Sequence, residues 1–160
     1  MPVSDDPVPD VVFRVGHPDE EPARTLIAAM VAELVELYSI SGSRLGVPLE
    51  PSELAPPAGA YVVGWVGAEP VAGGGLRSVG PGLGEIKRMY VAPAWRGRGV
   101  ARRLLGALED QARARGMSRV RLDTGSRQPD ARHLYESAGY VPIGNYNGNM
   151  HAAFWGEKQL

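Results

Sequence analysis

The sequence contains no cysteine, which excludes disulfide bonds, thiolate metal sites and a cysteine nucleophile. Long apolar runs are missing too, because the most apolar stretch, residues 26–38, is interrupted by Glu33 and Glu36. No membrane-spanning helix is therefore expected. The first residues are acidic and rich in proline, and they lack the basic start and apolar segment of a signal peptide. These features predict a cytoplasmic protein that does not engage a membrane.

Neither sign of charge is in excess, since 17 basic residues face 18 acidic ones and leave a formal net charge of −1. This balance argues against a general nucleic-acid-binding protein. The three histidines, His17, His133 and His151, are far apart in the sequence and do not have the spacing of metal ligands. No metal site is predicted.

The length and composition indicate one globular domain. A chain of 160 residues is long enough for a single sizeable core. Its hydrophobic content of 44% and charged content of 22% are ordinary for such a domain. We expect residues 1–9 to form a flexible tail and residues 10–160 to form the domain.

The central feature of the sequence is a strand pattern at residues 85–91, which ends before Pro93. The charged residues Glu85, Lys87 and Arg88 lie there among apolar residues that suit a buried strand. Polar side chains in a central strand cost free energy unless they are paired or face a cleft. The pattern therefore predicts a strand that either borders a cleft or carries buried ion pairs.

A glycine-rich and arginine-rich loop, residues 96–101, follows this strand and opens onto an amphipathic helix that ends near Gly116. A turn of this kind at a helix N-terminus binds anions through free backbone N–H groups. It is not a Walker loop, because no Gly-Lys-Ser/Thr sequence is present, and it lacks the third glycine of a Rossmann fingerprint. The loop is predicted to hold phosphate in some other type of fold.

Helical and strand periodicities along the chain predict an α/β fold with a mixed sheet. Strands are expected at residues 11–15, 60–66, 70–79, 85–91, 118–123, 140–146 and 151–158. Helices are expected at residues 20–40, 100–115 and 129–138, with one helical turn at residues 51–54 inside a loop spanning residues 41–59. Three consecutive glycines from Gly73 predict a bulge or a close backbone approach.

The motif Arg-x-x-Gly-x-Ala, from Arg96 through Gly99 to Ala101, resembles the acyl-coenzyme-A pyrophosphate loop of the GNAT superfamily of N-acetyltransferases. That family has Gln/Arg-x-x-Gly-x-Gly/Ala at this point. The preceding Glu-Ile-Lys-Arg-Met-Tyr-Val-x-Pro and the following Leu-Asp-Thr-Gly and Ala-x-x-Leu-Tyr-x-x-x-Gly-Tyr strengthen the resemblance, which covers residues 60–146. It implies a single-domain α/β fold whose central sheet is mixed, mostly antiparallel and flanked by helices.

The resemblance also implies a function. A GNAT member moves the acetyl group of acetyl-CoA, its co-substrate, to a primary amine by direct attack in a ternary complex, without a metal. The alternative is a non-catalytic acyl-CoA-binding sensor or structural module of the same fold. Nucleic-acid binding through the arginine-rich loop is a third option that the net charge disfavours. The acceptor amine is not identified by the fold, and a homodimer is one assembly that the resemblance allows.

Two catalytic residues are implied by the resemblance. Glu85 stands where some members carry a glutamate that deprotonates the amine, and the alternative role is a structural ion pair with a nearby arginine or with Lys87. Tyr135 stands where the family places a phenol near the thioester sulfur as the general acid. Its alternative role is that of a core tyrosine.

The cofactor-binding residues are likewise implied by the resemblance. Backbone groups of Met89 and Val91 would polarise the thioester carbonyl and contact pantetheine together with Tyr90. Arg102 would reach the 3′-phosphate unless it lies on a solvated helix face, and Gln128 replaces an asparagine found in many members, so its role is left open. The complete predicted set comprises Met89, Tyr90, Val91, Arg96, Gly97, Arg98, Gly99, Val100, Ala101, Arg102, Gln128 and Tyr135.

Overall fold

The computed structural model of the protein describes residues 10–39 and 49–160. The predicted tail at residues 1–9 and most of the first half of the predicted loop at residues 41–59 lie outside the described residues. The rest of that loop includes the predicted helical turn, which is a 3₁₀ turn at Pro51–Leu54.

Strands and helices follow one another in the predicted order. The strands are β1 (Val12–Gly16), β2 (Ala60–Val66), β3 (Glu69–Gly80), β4 (Leu83–Val91), β5 (Arg119–Gly125), β6 (Val141–Pro142) and β7 (Ala152–Gln159). The helices are α1 (Ala23–Tyr38), α2 (Val100–Ala114) and α3 (Pro129–Ser137).

The seven strands form one sheet in the order β1-β2-β3-β4-β5-β7-β6. Neighbouring strands are antiparallel except β4 and β5, which are parallel. A parallel pair needs a crossover connection, and α2 lies in it. The expectation of a mixed, mostly antiparallel sheet flanked by helices is confirmed.

Two apolar clusters cover the sheet. The larger contains the buried face of α2, with Leu104, Leu105 and Leu108 essentially inaccessible to solvent. The smaller joins Leu26 of α1 to Leu54 and to strand residues of β2. Apolar residues at every third or fourth position of α2 give the helix this single buried face.

The glycines of β3 allow both clusters to approach the sheet closely. A Cβ atom added at Gly74 would lie 2.8 Å from Leu108 of α2, whereas one added at Gly75 would lie 2.7 Å from Leu54. Successive residues of a strand face opposite sides of its sheet, so the two clusters lie on opposite sides. The predicted close approach is confirmed.

One predicted strand is much shorter than expected. Residues 140–146 were expected to be extended throughout, but the strand comprises only Val141–Pro142, after which Ile143 makes one backbone hydrogen bond to Trp155 of β7. Pro142 cannot donate to a ladder, and the backbone N–H of Gly148 is bonded to the side chain of Asn145 in a turn. Asparagine and glycine in this segment favour turns over strands. Smaller differences concern the ends of elements. Helix α1 is shorter than the predicted residues 20–40, and β4 begins at Leu83 instead of the predicted residue 85.

Candidate active site

The parallel pair β4 and β5 separates midway along its length. Its ladder consists of the pairs Leu83–Arg119, Gly84–Val120 and Glu85–Arg121. Beyond Glu85, β4 continues to Val91 and β5 to Gly125, and no further pairing between them occurs in the described chain. Alternate backbone groups of β4 therefore face an opening instead of a neighbouring strand.

A β-bulge lies in the same part of β4. Tyr90 pairs with Gly73 and Lys87 pairs with Gly75, so Arg88 and Met89 together face the single residue Gly74. Arg88 has φ of 61°, a conformation that is uncommon for a residue with a side chain. The bulge changes the direction of the side chains at the point where β4 leaves β5.

A cleft of about 710 Å³ occupies the opening. Its walls come from α1, the separated ends of β4 and β5, the start of α2 and α3. The structure brings most of the predicted cofactor-binding residues into this cleft: Met89, Tyr90, Val91, Arg96, Gly97, Gly99, Val100, Ala101, Arg102, Gln128 and Tyr135. Arg98 and Glu85 are not among the lining residues.

The glycine loop ends at the N-terminus of α2. Gly97 and Gly99 have φ of 75° and 77°, and an added Cβ at either position would meet no atom within 4 Å. Gly99 is the N-cap, and no side chain caps the helix. No acidic residue lies in its first turn. The first-turn N–H groups and the positive end of the helix dipole are thus available to an anion.

Three predicted arginines have different contacts. The Nε atom of Arg96 donates to the carbonyl oxygen of Val91 at 2.8 Å, and its Nη2 atom donates to Glu33 of α1 at 2.7 Å. Arg102 donates to the hydroxyl of Ser137 in α3. The guanidinium of Arg98 lies 5.2 Å from the ring centre of Trp95. Arg96 and Arg102 therefore connect the walls of the cleft to one another.

Tyr135 projects from α3 into the floor of the cleft and is 8% exposed. Its hydroxyl donates to the sulfur of Met89 at 3.7 Å, and its ring packs edge-on against Tyr140. Burial, with a further contribution from the charge of Asp123, raises the pKa of Tyr135 above the ordinary range of a phenol. The phenol keeps its proton at neutral pH, as phenols ordinarily do, and burial extends this to higher pH. A thioether sulfur is only a weak acceptor for that proton.

Gln128 lies where β5 gives way to α3. Its Oε1 atom accepts hydrogen bonds from the backbone N–H of Gly125 at 3.2 Å and from the hydroxyl of Tyr38 at 3.3 Å. Tyr38 is near the end of α1, so this side chain connects α1 to β5 at the mouth of the cleft.

Glu85 is completely buried at the last pair of the β4–β5 ladder. Its Oε1 atom accepts from Arg77 at 2.8 Å, and its Oε2 atom accepts from the hydroxyl of Tyr146 at 2.6 Å. The Nζ atom of Lys87 lies 3.8 Å from Oε2. Both oxygens are engaged by neighbouring side chains, which is the arrangement of the structural ion pair.

The comparison with protein families agrees with this geometry. Residues 25–140 match the model of the Acetyltransferase (GNAT) family. The chain belongs to the GNAT family.

Relatives of this GNAT chain extend over nearly its whole length. An IAA acetyltransferase of Azospirillum brasilense is 33% identical over 157 residues, which are 96% of this chain and 100% of that protein. A Klebsiella pneumoniae structure classed as an acyl-CoA N-acyltransferase superimposes with a TM-score of 0.78 at 28% identity, covering 94% and 98% of the two chains. The fold also matches the PaiA N-acetyltransferase of Thermoplasma acidophilum, solved with coenzyme A, with a TM-score of 0.70 at 14% identity and coverage of 94% and 99%.

Sequence reasoning missed several residues of the GNAT cleft. Asp123 of β5 lines the cleft and accepts hydrogen bonds from Asn147 at 2.6 Å and Asn149 at 3.1 Å. Lys87 lies 3.6 Å from its other oxygen. A charged residue directly after Leu122 in a strand was the available signal. No local sequence signal indicates the hydrogen bond between Tyr146 and Glu85, because these residues are far apart in the sequence.

A metal site and a membrane-spanning helix were not expected from the sequence. Among residues 10–39 and 49–160 of this GNAT chain, there is no group of three His, Asp or Glu side chains that could hold a metal ion. Within the same residues, no helix has the length and apolar character required to cross a membrane.

Proposed function

We propose that this chain is an N-acetyltransferase that moves the acetyl group of acetyl-CoA to a primary amine by direct attack in a ternary complex. The observation that carries the proposal is the cleft itself. It combines the freed edge of β4, the uncapped N-terminus of α2 and the protonated phenol of Tyr135 in one opening.

The residues of the cleft fit acetyl-CoA. The open N-terminus of α2 and its glycine loop suit a pyrophosphate, with Arg102 at the edge of the same opening for the 3′-phosphate. The backbone of β4 from Met89 to Val91 supplies groups with which pantetheine can pair, since β5 has moved away. In this arrangement the thioester lies toward Tyr135.

The proposed reaction needs few protein groups. The neutral amine attacks the carbonyl carbon, and backbone N–H groups at Met89 and Val91 stabilise the negative charge that develops on the oxygen. The carbon–sulfur bond then breaks, and the phenol of Tyr135 gives its proton to the leaving thiolate. Solvent returns a proton to the phenolate, and the amine releases its proton to solvent, so that the amide and free coenzyme A are the products.

Glu85 has two candidate roles in this scheme, and its contacts favour the structural one. A general base must reach the amine directly or through one water molecule. Both oxygens of Glu85 accept hydrogen bonds, from Arg77 and from Tyr146, and the side chain is buried and does not line the cleft. We infer that Glu85 positions the separated strands, and that the acceptor reaches the site as the free amine.

One observation favours a second candidate function. Glu85, the carboxylate predicted to be the base, does not line the cleft and is hydrogen-bonded to Arg77 and Tyr146. A domain without a working base would also serve as an acyl-CoA-binding sensor or structural module. Continuous release of coenzyme A thiol on adding an amine separates the two functions. A screen of primary amines with acetyl-CoA should give turnover that depends on the amine. Tight binding of acetyl-CoA without turnover on any amine would support the sensor and overturn the enzyme.

A further inference from the structure

Arg88 differs from the neighbouring cationic side chains in having no ion-pair partner among the described residues. It lines the cleft, to which α1 contributes Leu34 and Tyr38, and is partly buried. Two nearby cations have a carboxylate partner, because Lys87 of β4 and Arg77 of β3 both contact Glu85. Arg88 has no ion pair and no hydrogen bond from its side chain within residues 10–39 and 49–160.

Among the described residues, no carboxylate contributes to the pKa shift of Arg88. Burial and the positive charge of Arg77 lower the pKa of Arg88, and only the phenol of Tyr61 acts in the opposite direction. That phenol is neutral at physiological pH, as phenols ordinarily are, and burial raises the pKa of Tyr61 further. A guanidinium remains protonated even so, and a desolvated charge without a partner is unfavourable.

The backbone of Arg88 is also in an unfavourable state. Its φ of 61° at the bulge is readily adopted by glycine and asparagine but seldom by arginine. Two destabilising features thus coincide at one residue that faces a cleft. Such coincidences are typical of residues held for binding.

The neighbours of Arg88 show on which side of the sheet it acts. Tyr61 and Arg77 influence it electrostatically, and Tyr61 packs with Leu26 and Leu54 in the cluster next to α1. The α2 helix, whose N-terminus suits the phosphates, packs against the opposite side of the sheet. An anion that pairs with Arg88 would therefore lie on the side of the sheet opposite to α2.

We propose that Arg88 binds a carboxylate of the acceptor, so that the acceptor is an amine that also carries a carboxylate, as amino acids do. This inference rests on the proposed function. The planar guanidinium pairs with a carboxylate through two parallel hydrogen bonds. One uncompensated positive charge matches the single negative charge of that group.

The first experiment compares acceptors that differ only in this charge. Values of kcat/KM are measured with acetyl-CoA for L-amino acids and for the primary amides of the same amino acids, taking each amine at equal concentration of its neutral form. The acids should be preferred by about tenfold to a hundredfold, as expected for hydrogen bonds to a charged group. Equal values, or a preference for the amides, would overturn the inference and leave the N-acetyltransferase function standing.

Variants at Arg88 connect the preference to this side chain. Arg88→Gly and Arg88→Asn suit the positive φ and should abolish the preference, while KM for acetyl-CoA stays within about twofold and the melting temperature is maintained or rises. Arg88→Lys should retain part of the preference. Arg14→Gln is the matched control, an arginine on β1 outside the cleft, and should leave the preference intact. Persistence of the full preference in Arg88→Gly and Arg88→Asn, or a changed KM for acetyl-CoA alone, would contradict the assignment.

A binding measurement separates failure of this inference from failure of the proposed function. N-acetyl-L-amino acids and their primary amides are titrated by calorimetry into the protein saturated with coenzyme A. Binding of the acids that is at least tenfold tighter and lost in Arg88→Gly would support the carboxylate site even if no amine is turned over. O-phosphoethanolamine and its N-acetyl derivative are titrated in the same way, to test whether the site prefers a phosphate to a carboxylate. Preference for them over the carboxylates, or no binding of any N-acetyl amino acid, would overturn the proposal.

Discussion

The hydroxyl of Tyr146 lies 2.6 Å from the Oε2 atom of Glu85. Tyr146 belongs to the segment between β6 and β7, whereas Glu85 lies at the last pair that β4 makes with β5. Their hydrogen bond therefore connects a distant segment to the point where the sheet opens. With Arg77 on the other carboxylate oxygen, Glu85 connects three parts of the chain beneath the cleft.

Replacing Glu85 by glutamine should destabilise the fold more than it alters catalysis. The side chain of Arg77 is 11% exposed, and loss of its buried partner should lower the free energy of unfolding by about 3 kcal/mol. The acidic limb of the pH–rate profile should persist and follow the pKa of the acceptor amine. Urea unfolding and rate profiles for two amines of different pKa test this.

Glu53→Gln is the matched control, because Glu53 pairs with the same arginine but its side chain is 42% exposed. It should lower the free energy of unfolding by less than about 1 kcal/mol. An acidic limb that disappears in Glu85→Gln without a change in stability would restore Glu85 as the general base.

Replacing Tyr135 by phenylalanine should lower kcat by on the order of 10²-fold, because the leaving thiolate loses its proton donor. The affinity for acetyl-CoA should change little, since the ring still packs and only the contact with the Met89 sulfur is lost. Stopped-flow rates and calorimetry give the two quantities. An unchanged kcat would mean that Tyr135 serves only as a core residue.

Replacing Gly99 by glutamate should abolish acetyl-CoA binding. The new side chain would block the N–H groups at the start of α2 and repel the pyrophosphate. The site has open space around Gly99 but a φ of 77°, so some loss of stability is expected as well. Calorimetry with acetyl-CoA measures the effect.

Gly106→Glu provides the comparison, since Gly106 lies on the same helix, has open space around it and does not line the cleft. It should bind acetyl-CoA as the unmodified protein does. Ordinary affinity in Gly99→Glu would refute the placement of the pyrophosphate.

Stability should fall as the pH rises above about 10. Burial raises the pKa of Tyr61, Tyr135 and Tyr140, whereas phenols of the unfolded chain titrate near 10. Above that pH the unfolded state has lost protons that the folded state still holds, so each phenol lowers the free energy of unfolding by about 1.4 kcal/mol per pH unit. The loss continues until the folded-state pKa is reached. Urea unfolding between pH 9 and 11.5 measures the slope.

Tyr140→Phe isolates one of these contributions. The buried hydroxyl of Tyr140 has no hydrogen-bond partner in the described part of the chain, so its removal should not destabilise the protein at neutral pH. The alkaline slope should become shallower by the contribution of one phenol. An unchanged slope would contradict the assignment of the alkaline effect to buried tyrosines.

Local patterns predicted the parts of the site that depend on local sequence. The strand that became β4, the glycine loop and α2 were recognisable because alternation, glycine content and helical periodicity act within about 30 residues. Most of the predicted cofactor-binding residues consequently meet in one cleft. The polar residues in β4 were also correctly expected to be paired or to border a cleft.

What escaped prediction depends on register and on distant pairing. The glycines from Gly73 predicted a bulge or a close approach, but the extra residue of the observed bulge lies on the partner strand β4, so the positive φ of Arg88 was not anticipated. Turn-forming residues after Pro142 outweighed the strand propensity of the same segment. The side chain of Tyr146 was then free to reach Glu85.

Because the ladder between β4 and β5 is short, the stability of the folded protein should depend on a ligand bound between these strands. Strands β1–β4 and strands β5–β7 form two parts of the sheet that are joined only by this short ladder. A ligand bound between the separated ends of β4 and β5 would contact both parts and hold them together. A ligand that binds only the folded state raises its stability in proportion to the logarithm of ligand concentration. Amides near residues 86–91 and 122–125 would then exchange more slowly, and protease would find fewer open molecules. Under the proposed function, acetyl-CoA would in this way lengthen the lifetime of the folded chain.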